Sequence, residues 1–324
     1  MGSRTLPPFG VLEVVTRWQF APVVTALSVV LAALYVWGVL RVRQRHPKRP
    51  WPAWRAVMFL TGLVVIVVAT QSGIGTYDDV LFTDHMFQHL LLIMVAPPLL
   101  VVGQPVTLLM HASRNPLHTW VKRLLRSRVV AAITWPPVGV MAYAATIVGT
   151  HLTSFMNQVM TNPALHDAEH GLYLVVGYLY FLPLIGREPV RWRVSYPVRL
   201  FLLFLAMPVD AYTGVVLGSA ATVSTTGMDP RTWGPTPLSD AHAAGAVMWV
   251  GGAAIMFVTI LFVFLAWSRD TRASSRFGWL ESARQANLAK VANVAIPRGG
   301  DVDEDDEQLA AYNAYLARLN GNNR

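Results

Sequence analysis

The sequence has no cysteine, and charged residues make up only 14% of its 324 residues. Soluble domains carry about 25% charged residues, so this scarcity excludes an ordinary soluble protein and indicates an integral membrane protein. Without cysteine there is no disulfide and no thiolate ligand, and a metal site has to use histidine, methionine or carboxylates. Lysine is absent from every long apolar run, which excludes the Schiff base of a retinal protein.

Long apolar runs, by contrast, occupy most of the chain. A helix that crosses a bilayer needs roughly 20 apolar residues, and seven runs meet this length. The sequence therefore predicts an all-α membrane protein with an extracytoplasmic N-terminal segment (1–19), a seven-helix transmembrane domain (20–267) and a flexible cytoplasmic tail with a short terminal helix (268–324). The predicted spans are 20–41, 56–75, 80–102, 129–150, 167–186, 198–218 and 241–267.

Positive charge alternates from loop to loop. Of the 26 lysine and arginine residues, only Arg4, Arg17 and Arg231 lie on one side of the predicted membrane. Cytoplasmic loops are rich in these residues, so we expect the N-terminus outside and the C-terminus in the cytoplasm. The net charge of +8 then follows from membrane topology and does not indicate a nucleic-acid partner.

Two histidine pairs with the same spacing lie at the starts of the third and fifth predicted spans. His85 and His89 form one pair, and His166 and His170 form the other. Residues four apart share one face of a helix, and ionisable groups in membrane segments are costly and usually functional. With the predicted orientation both pairs lie on the outer side, where two facing helices could close a site of four imidazoles.

Such a site indicates a bound metal ion. Imidazole suits copper, zinc, iron and nickel, and the lack of thiolates together with an outer location favours copper. Asp240 either orients an imidazole or caps the seventh helix. The auxiliary metal-site candidates at this level of the membrane are His242, Asp210, Asp240 and Met207.

Three other functions remain open from the residues alone. The segment from His166 to His170 matches H-x-x-E-H, the inverted zinc-peptidase pattern, in which Glu169 would be the general base. A peptidase of this kind expects a further glutamate ligand, and both Glu188 and Glu281 lie on the wrong side of the predicted membrane. Ligation of haem by two histidines, in an oxidoreductase, is a second alternative, and a copper transporter is a third.

Five segments resemble the multi-span CtaG family of cytochrome c oxidase assembly factors. The most distinctive is DHMFQH at 84–89, which runs into APPLL and GQP within 96–105. The segments 166–170, 207–211 and 240–249 are similar to later motifs of the family, and LAAYN in the tail is similar to its actinobacterial members.

The resemblance implies a role in maturing a haem–copper oxidase in a bacterial plasma membrane, with oxidase subunits and membrane lipid as partners. It implies copper binding and delivery, without turnover of a substrate, so we do not expect an enzyme. It does not identify the donor of the copper. A scaffold for oxidase subunits that binds no metal is the alternative within this role.

Overall fold

The computed structural model describes residues 6–222, 228 and 231–271. Within these residues every regular element is a helix, and no strand forms. Close contacts divide the chain into a unit of residues 1–263 and a unit of residues 264–324. The second unit is described only over 264–271, where it is helical, so the predicted tail helix lies outside the described residues.

Among the described residues, six helices are long and apolar enough to cross a membrane, and a seventh span results if two helices joined by a 70° bend count as one. This confirms the helical membrane architecture, while its orientation stays a prediction. The spans are numbered here in chain order. Spans 1 to 7 are Pro22–Arg45, Ala53–Tyr77, Phe82–Ala112, Pro136–His151 with Phe155–Thr161, Pro163–Ile185, Tyr196–Gly218 and Pro237–Thr271.

Three shorter helices lie between or before the spans. They are Val11–Thr16, Leu117–Leu125 and Arg128–Ile133. The sequence predicts one continuous span over 129–150, whereas the structure divides this stretch into two helices. The short helix ends at Ile133, and span 4 starts at Pro136. Proline lacks an N–H and suits the first turn of a helix, so this sequence favours a new start over a continuous helix.

Spans 2 and 3 are joined by a tight turn that carries Asp78. Span 2 breaks after Gln71, and a second short helix, Gly73–Tyr77, follows at once. Ser72 caps this helix through its side chain, and Gly75 lies so close to span 2 that a Cβ there would be 2.4 Å from the Thr70 carbonyl oxygen. The turn buries Asp78 against the start of span 3.

Span 3 contains a π-helical turn, Leu91–Val95, just before two consecutive prolines. Pro97 and the proline after it have no N–H to offer the carbonyls of Ile93 and Met94, so the regular hydrogen-bond ladder cannot continue. Gly177 of span 5 packs against this turn, and a Cβ on it would be 2.4 Å from the Ile93 oxygen. Spans 3 and 5 are therefore neighbours, which the sequence alone could not show.

Spans 2, 3 and 5 form the centre of the bundle. About half of each of their apolar windows is buried within the protein, against 17% for span 1 and 22% for span 7. The apolar side chains of the two outer spans are exposed, as expected of helices that face lipid. The largest buried side chains, among them Met86, Tyr143 and Phe181, pack between the helices of the bundle.

Candidate metal centre

Six side chains able to bind a metal collect where spans 3 and 5 begin. The ring centroids of His85 and His89 are 4.1 Å apart, and those of His166 and His170 are 4.4 Å apart. The two pairs meet through His85 and His166, whose rings stack at 5.4 Å. The structure thus brings the four predicted histidines together. With the two carboxylates beside them they form the histidine cluster: Asp78, His85, His89, His166, Glu169 and His170.

The cluster is buried, and its polar atoms are short of partners. Both ring nitrogens of His85, Nε2 of His89, Nε2 of His166 and both carboxylate oxygens of Glu169 are buried without a hydrogen bond. Glu169 Oε2 lies 3.5 Å from His89 Nε2 and 4.0 Å from His85 Nε2. An unsatisfied buried polar group costs about 1–3 kcal/mol, so such a concentration of them indicates a site for a cation.

His151 of span 4 fixes which nitrogen of His89 faces Glu169. Nδ1 of His151 lies 2.9 Å from the Ile147 carbonyl oxygen, which can only accept, so in the neutral ring Nδ1 carries the proton. Nε2 of His151 then has the lone pair, and it lies 3.2 Å from His89 Nδ1, which must donate. His89 therefore directs the lone pair of Nε2 at the carboxylate. Two acceptors that face each other repel unless a proton or a metal ion lies between them.

Gln88 determines which nitrogen of His170, in the second histidine pair, carries the lone pair. Its Nε2 donates to the Ala69 carbonyl oxygen at 3.0 Å and to Asp78 Oδ2 at 2.7 Å, and this pair of acceptors fixes the orientation of the amide. Its Oε1 must accept from His170 Nε2 at 2.9 Å, which leaves the lone pair of His170 on Nδ1. Partners of this kind orient metal-binding imidazoles in known metal sites.

Asp78 lies in the turn between spans 2 and 3 and carries the second carboxylate of the cluster. Burial raises its pKa well above the ordinary value, and the charge of the neighbouring Asp79 adds to this rise, while the Gln88 hydrogen bond opposes it. Its Oδ2 is 3.7 Å from His166 Nε2. A cation beside Asp78 would stabilise the ionised carboxylate that burial disfavours.

Sequence reasoning missed part of this arrangement. The residues that the sequence suggests as ligands do not include Asp78, and the sequence analysis gave no role to His151 or Gln88. The signal for Gln88 was available, because it is a polar residue between the two histidines of the DHMFQH segment, in a predicted membrane span. Asp78 and His151 come from other elements, and only the packing of the helices brings them to the cluster.

Asp240 and His242 lie outside the cluster. The Asp240 carboxylate accepts hydrogen bonds from the backbone N–H groups of Phe82 and Thr83, at 2.9 and 3.2 Å, and so caps span 3 instead of its own helix. Arg231 Nη2 pairs with it at 3.2 Å. Asp240 therefore holds the start of the helix that carries His85. His242 is exposed, and its Nε2 lies 2.9 Å from a backbone carbonyl oxygen.

Asp210 and Met207 of span 6 also lie elsewhere. Both carboxylate oxygens of Asp210 are 2.9 Å from the hydroxyl of Tyr143, in a buried contact between spans 4 and 6. Met207 packs against the apolar core. Of the eight residues that the sequence suggests as ligands, the structure brings together only the two histidine pairs.

The motifs around this cluster agree with one known family. The family model of the cytochrome c oxidase caa3 assembly factor (Caa3_CtaG) matches residues 33–270, a stretch that includes the whole histidine cluster. The chain belongs to this family. The resemblance seen in the DHMFQH segment is thereby confirmed, and the family is one of cytochrome c oxidase assembly factors.

Relatives come from mycobacteria. The chain is 30% identical to uncharacterized proteins of Mycobacterium bovis and Mycobacterium tuberculosis, over 98% of its length, and 29% identical to one of Mycobacterium leprae. It spans about half of the length of these relatives, 47% in each case. No solved structure matches the chain.

Proposed function

We propose that this protein binds copper at the histidine cluster and supplies it to a haem–copper cytochrome c oxidase during assembly, in a bacterial plasma membrane. The family membership supports the role in oxidase assembly. The partners are then the oxidase subunits, and the surrounding lipid is the medium in which they meet. Copper is the cargo of this process, so the protein binds and releases it and catalyses no turnover.

The unpaired ligand atoms of His85, His89 and Glu169 are the observation that carries the proposal. Their ligand atoms all lie within 4.8 Å of one another, close enough to meet on one ion. Imidazole and carboxylate donors bind copper, and copper(II) binds most tightly of the divalent first-row metals to a given site of this kind. Three protein ligands leave a coordination position open, through which a recipient can take the ion.

The location of the cluster suits copper that is handled outside the cytoplasm. The excess of lysine and arginine in alternate loops predicts that spans 3 and 5 start on the outer side. Glu188 and the arginine-rich loops lie at the opposite end of these spans. The ion would therefore enter and leave on the outer side without crossing the bilayer.

The grouping of Glu169 favours a ligand over the base of a peptidase. In an H-x-x-E-H site the two histidines of the motif bind zinc and the glutamate stays free to act on water. Here Glu169 lies against His85 and His89 of another span, while His166 and His170 group with Asp78. Glu169→Gln distinguishes the two roles, because a ligand that loses its charge loses metal, whereas a peptidase that loses its base keeps metal and loses activity.

Oxidase maturation in cells tests the proposal. In a strain whose own copy carries His85→Ala with His89→Ala, the purified oxidase is expected to lose most of its copper, while its subunits are still inserted. His111→Ala with His118→Ala is the matched control, because both of these histidines lie in basic stretches away from the cluster. Normal copper content in the oxidase of the first strain would overturn the proposal.

A further inference from the structure

We infer that the histidine cluster holds two copper ions side by side, one between His85, His89 and Glu169 and one between Asp78, His166 and His170. This inference rests on the proposed function and sets the amount of cargo that the protein carries. The first set is called here the inner half of the cluster and the second set the outer half. The two halves share no residue.

The distances within each half fit one ion. An ion bound to nitrogen and oxygen at about 2.1 Å needs ligand atoms no more than about 4.2 Å apart. Within each half the three ligand atoms all lie within 4.8 Å of one another, so only a small closure is needed. The halves touch through the stacked rings of His85 and His166, 5.4 Å apart, and through His89 and His170, 6.5 Å apart. Two ions would therefore be near neighbours.

Each half is prepared on its own. In the inner half the His151 ring directs the lone pair of His89 Nε2 at Glu169. In the outer half Gln88 holds Asp78 and leaves His170 a lone pair on Nδ1, and His166 Nε2 has no hydrogen-bond partner. A site for a single ion would have no use for a second oriented carboxylate and a second oriented imidazole.

The charges also call for two ions. Each half has one carboxylate and two imidazoles, and Glu169 and Asp78 are both almost fully buried. Among the described residues, the ion pairs of these two carboxylates are with histidines alone, since Arg231 is taken by Asp240. A buried carboxylate without a cation is costly. One ion would leave one carboxylate uncompensated, whereas two copper(I) ions would make the cluster neutral.

The outer half is the more accessible of the two. The His166 side chain is 17% exposed, whereas those of His85 and Glu169 are not exposed. An incoming ion therefore meets the outer half first and reaches the inner half past the His85–His166 contact. The two ions would load and leave in sequence through one entrance.

Copper counting on the purified full-length protein tests the inference. Copper(I) is added without oxygen in the presence of a competing chelator, and bound metal is measured per chain. We expect two ions in the wild type, one after Asp78→Asn with His166→Ala, one after His85→Ala with His89→Ala, and two in the His118→Ala control. The wild-type count needs no variant, so it decides the claim even where a variant fails to fold.

The outcomes separate this inference from the function on which it rests. A wild type that binds one ion would overturn the two-ion site and leave the proposed function standing. Loss of all copper in both double variants, with the fold retained, would contradict the division into two halves, because each half is expected to keep its ion when the other is removed. A wild type that binds none would overturn the proposed function as well.

Discussion

His151 donates no ligand to the cluster, yet it determines how His89 meets Glu169. Its Nδ1–H is held by the Ile147 carbonyl, and its Nε2 accepts from His89. The ring of Tyr173 covers His89 at 4.1 Å, and its hydroxyl bonds to Thr150 beside His151. These contacts orient the His89 ring so that the lone pair of its Nε2 is not used in a hydrogen bond. A metal ion can bind this lone pair.

Replacement of His151 tests this positioning role. In His151→Phe the acceptor for His89 Nδ1 is lost, so the proton of His89 moves to Nε2, where it bonds to Glu169 and competes with copper. We expect copper affinity to fall about 10–100-fold, the usual cost of losing such a partner. Competition against a copper chelator measures the change.

Two further variants control this prediction. His151→Gln keeps an acceptor oxygen and should restore part of the affinity, which a purely structural role would not explain. His242→Phe changes an exposed histidine outside the cluster and should leave affinity unchanged. Equal affinity in His151→Phe and the wild type would contradict the positioning role.

At this scale the sequence predicted four of the six residues of the histidine cluster. The i,i+4 spacing identified His85, His89, His166 and His170, because helical periodicity needs no tertiary knowledge. Glu169 was visible only as part of a peptidase pattern, since its true neighbours are on another helix. Asp78 could not be distinguished from an ordinary turn residue, because its burial depends on how the turn packs.

At the scale of helices, the crossing of spans 3 and 5 determines where the two histidine pairs lie. His89 is one turn before Ile93, and His170 is two turns before Gly177, where the backbones of the two helices pack against each other. The cap that Asp240 places on span 3 fixes the same end of this helix from the other side. The pairs face each other because both helices are held at these points.

Gly177→Ala should open this crossing. The new Cβ would be 2.4 Å from the backbone oxygen of Ile93, which has no rotamer by which to move away. Overpacking of this kind costs about 1–3 kcal/mol, so we expect a lower thermal unfolding temperature in detergent together with weaker copper binding.

Gly171→Ala is the matched control on the same helix. Nothing lies within 4 Å of a Cβ at this position. Alanine is better than glycine in a helix by about 1 kcal/mol, so the control should be as stable as the wild type or more so. If Gly177→Ala were as stable as Gly171→Ala and bound copper as well, the account of the crossing would be wrong.

The sequence predicted most of the helices but not their arrangement. Length and apolar content located the spans, since the bilayer imposes both. The start of span 4 was misjudged because apolar residues continue through a break that prolines impose. That span 3 lies beside span 5 depends on one glycine and one proline pair meeting across two helices, and no local pattern shows this.

At the scale of the whole molecule, orientation in the membrane decides whether the cluster can serve copper from outside. The absence of cysteine makes this directly measurable, because a single introduced cysteine has no competitor. Ser154, in the bend between the two helices of span 4, and Ser195, before span 6, are both exposed. We expect an impermeant maleimide to label Ser154→Cys in intact cells and Ser195→Cys only after the membrane is opened.

The reverse labelling pattern would put the cluster on the cytoplasmic side. The lysine and arginine count would then have misjudged the topology, and the proposed route of copper would fail with it. Labelling of both positions in intact cells would indicate that the cells are leaky. The control is a cytoplasmic protein with an accessible cysteine, which the maleimide labels only in leaky cells.

The most direct test of the central claim is metal analysis of the purified wild type beside a variant in which His85, His89, His166 and His170 are all alanine. Both proteins are loaded with copper under the same conditions, desalted and measured per chain, with size exclusion to show that each is folded. We expect copper in the wild type and essentially none in the variant. Equal copper in the two, or none in the wild type, would contradict the claim that the histidine cluster binds copper.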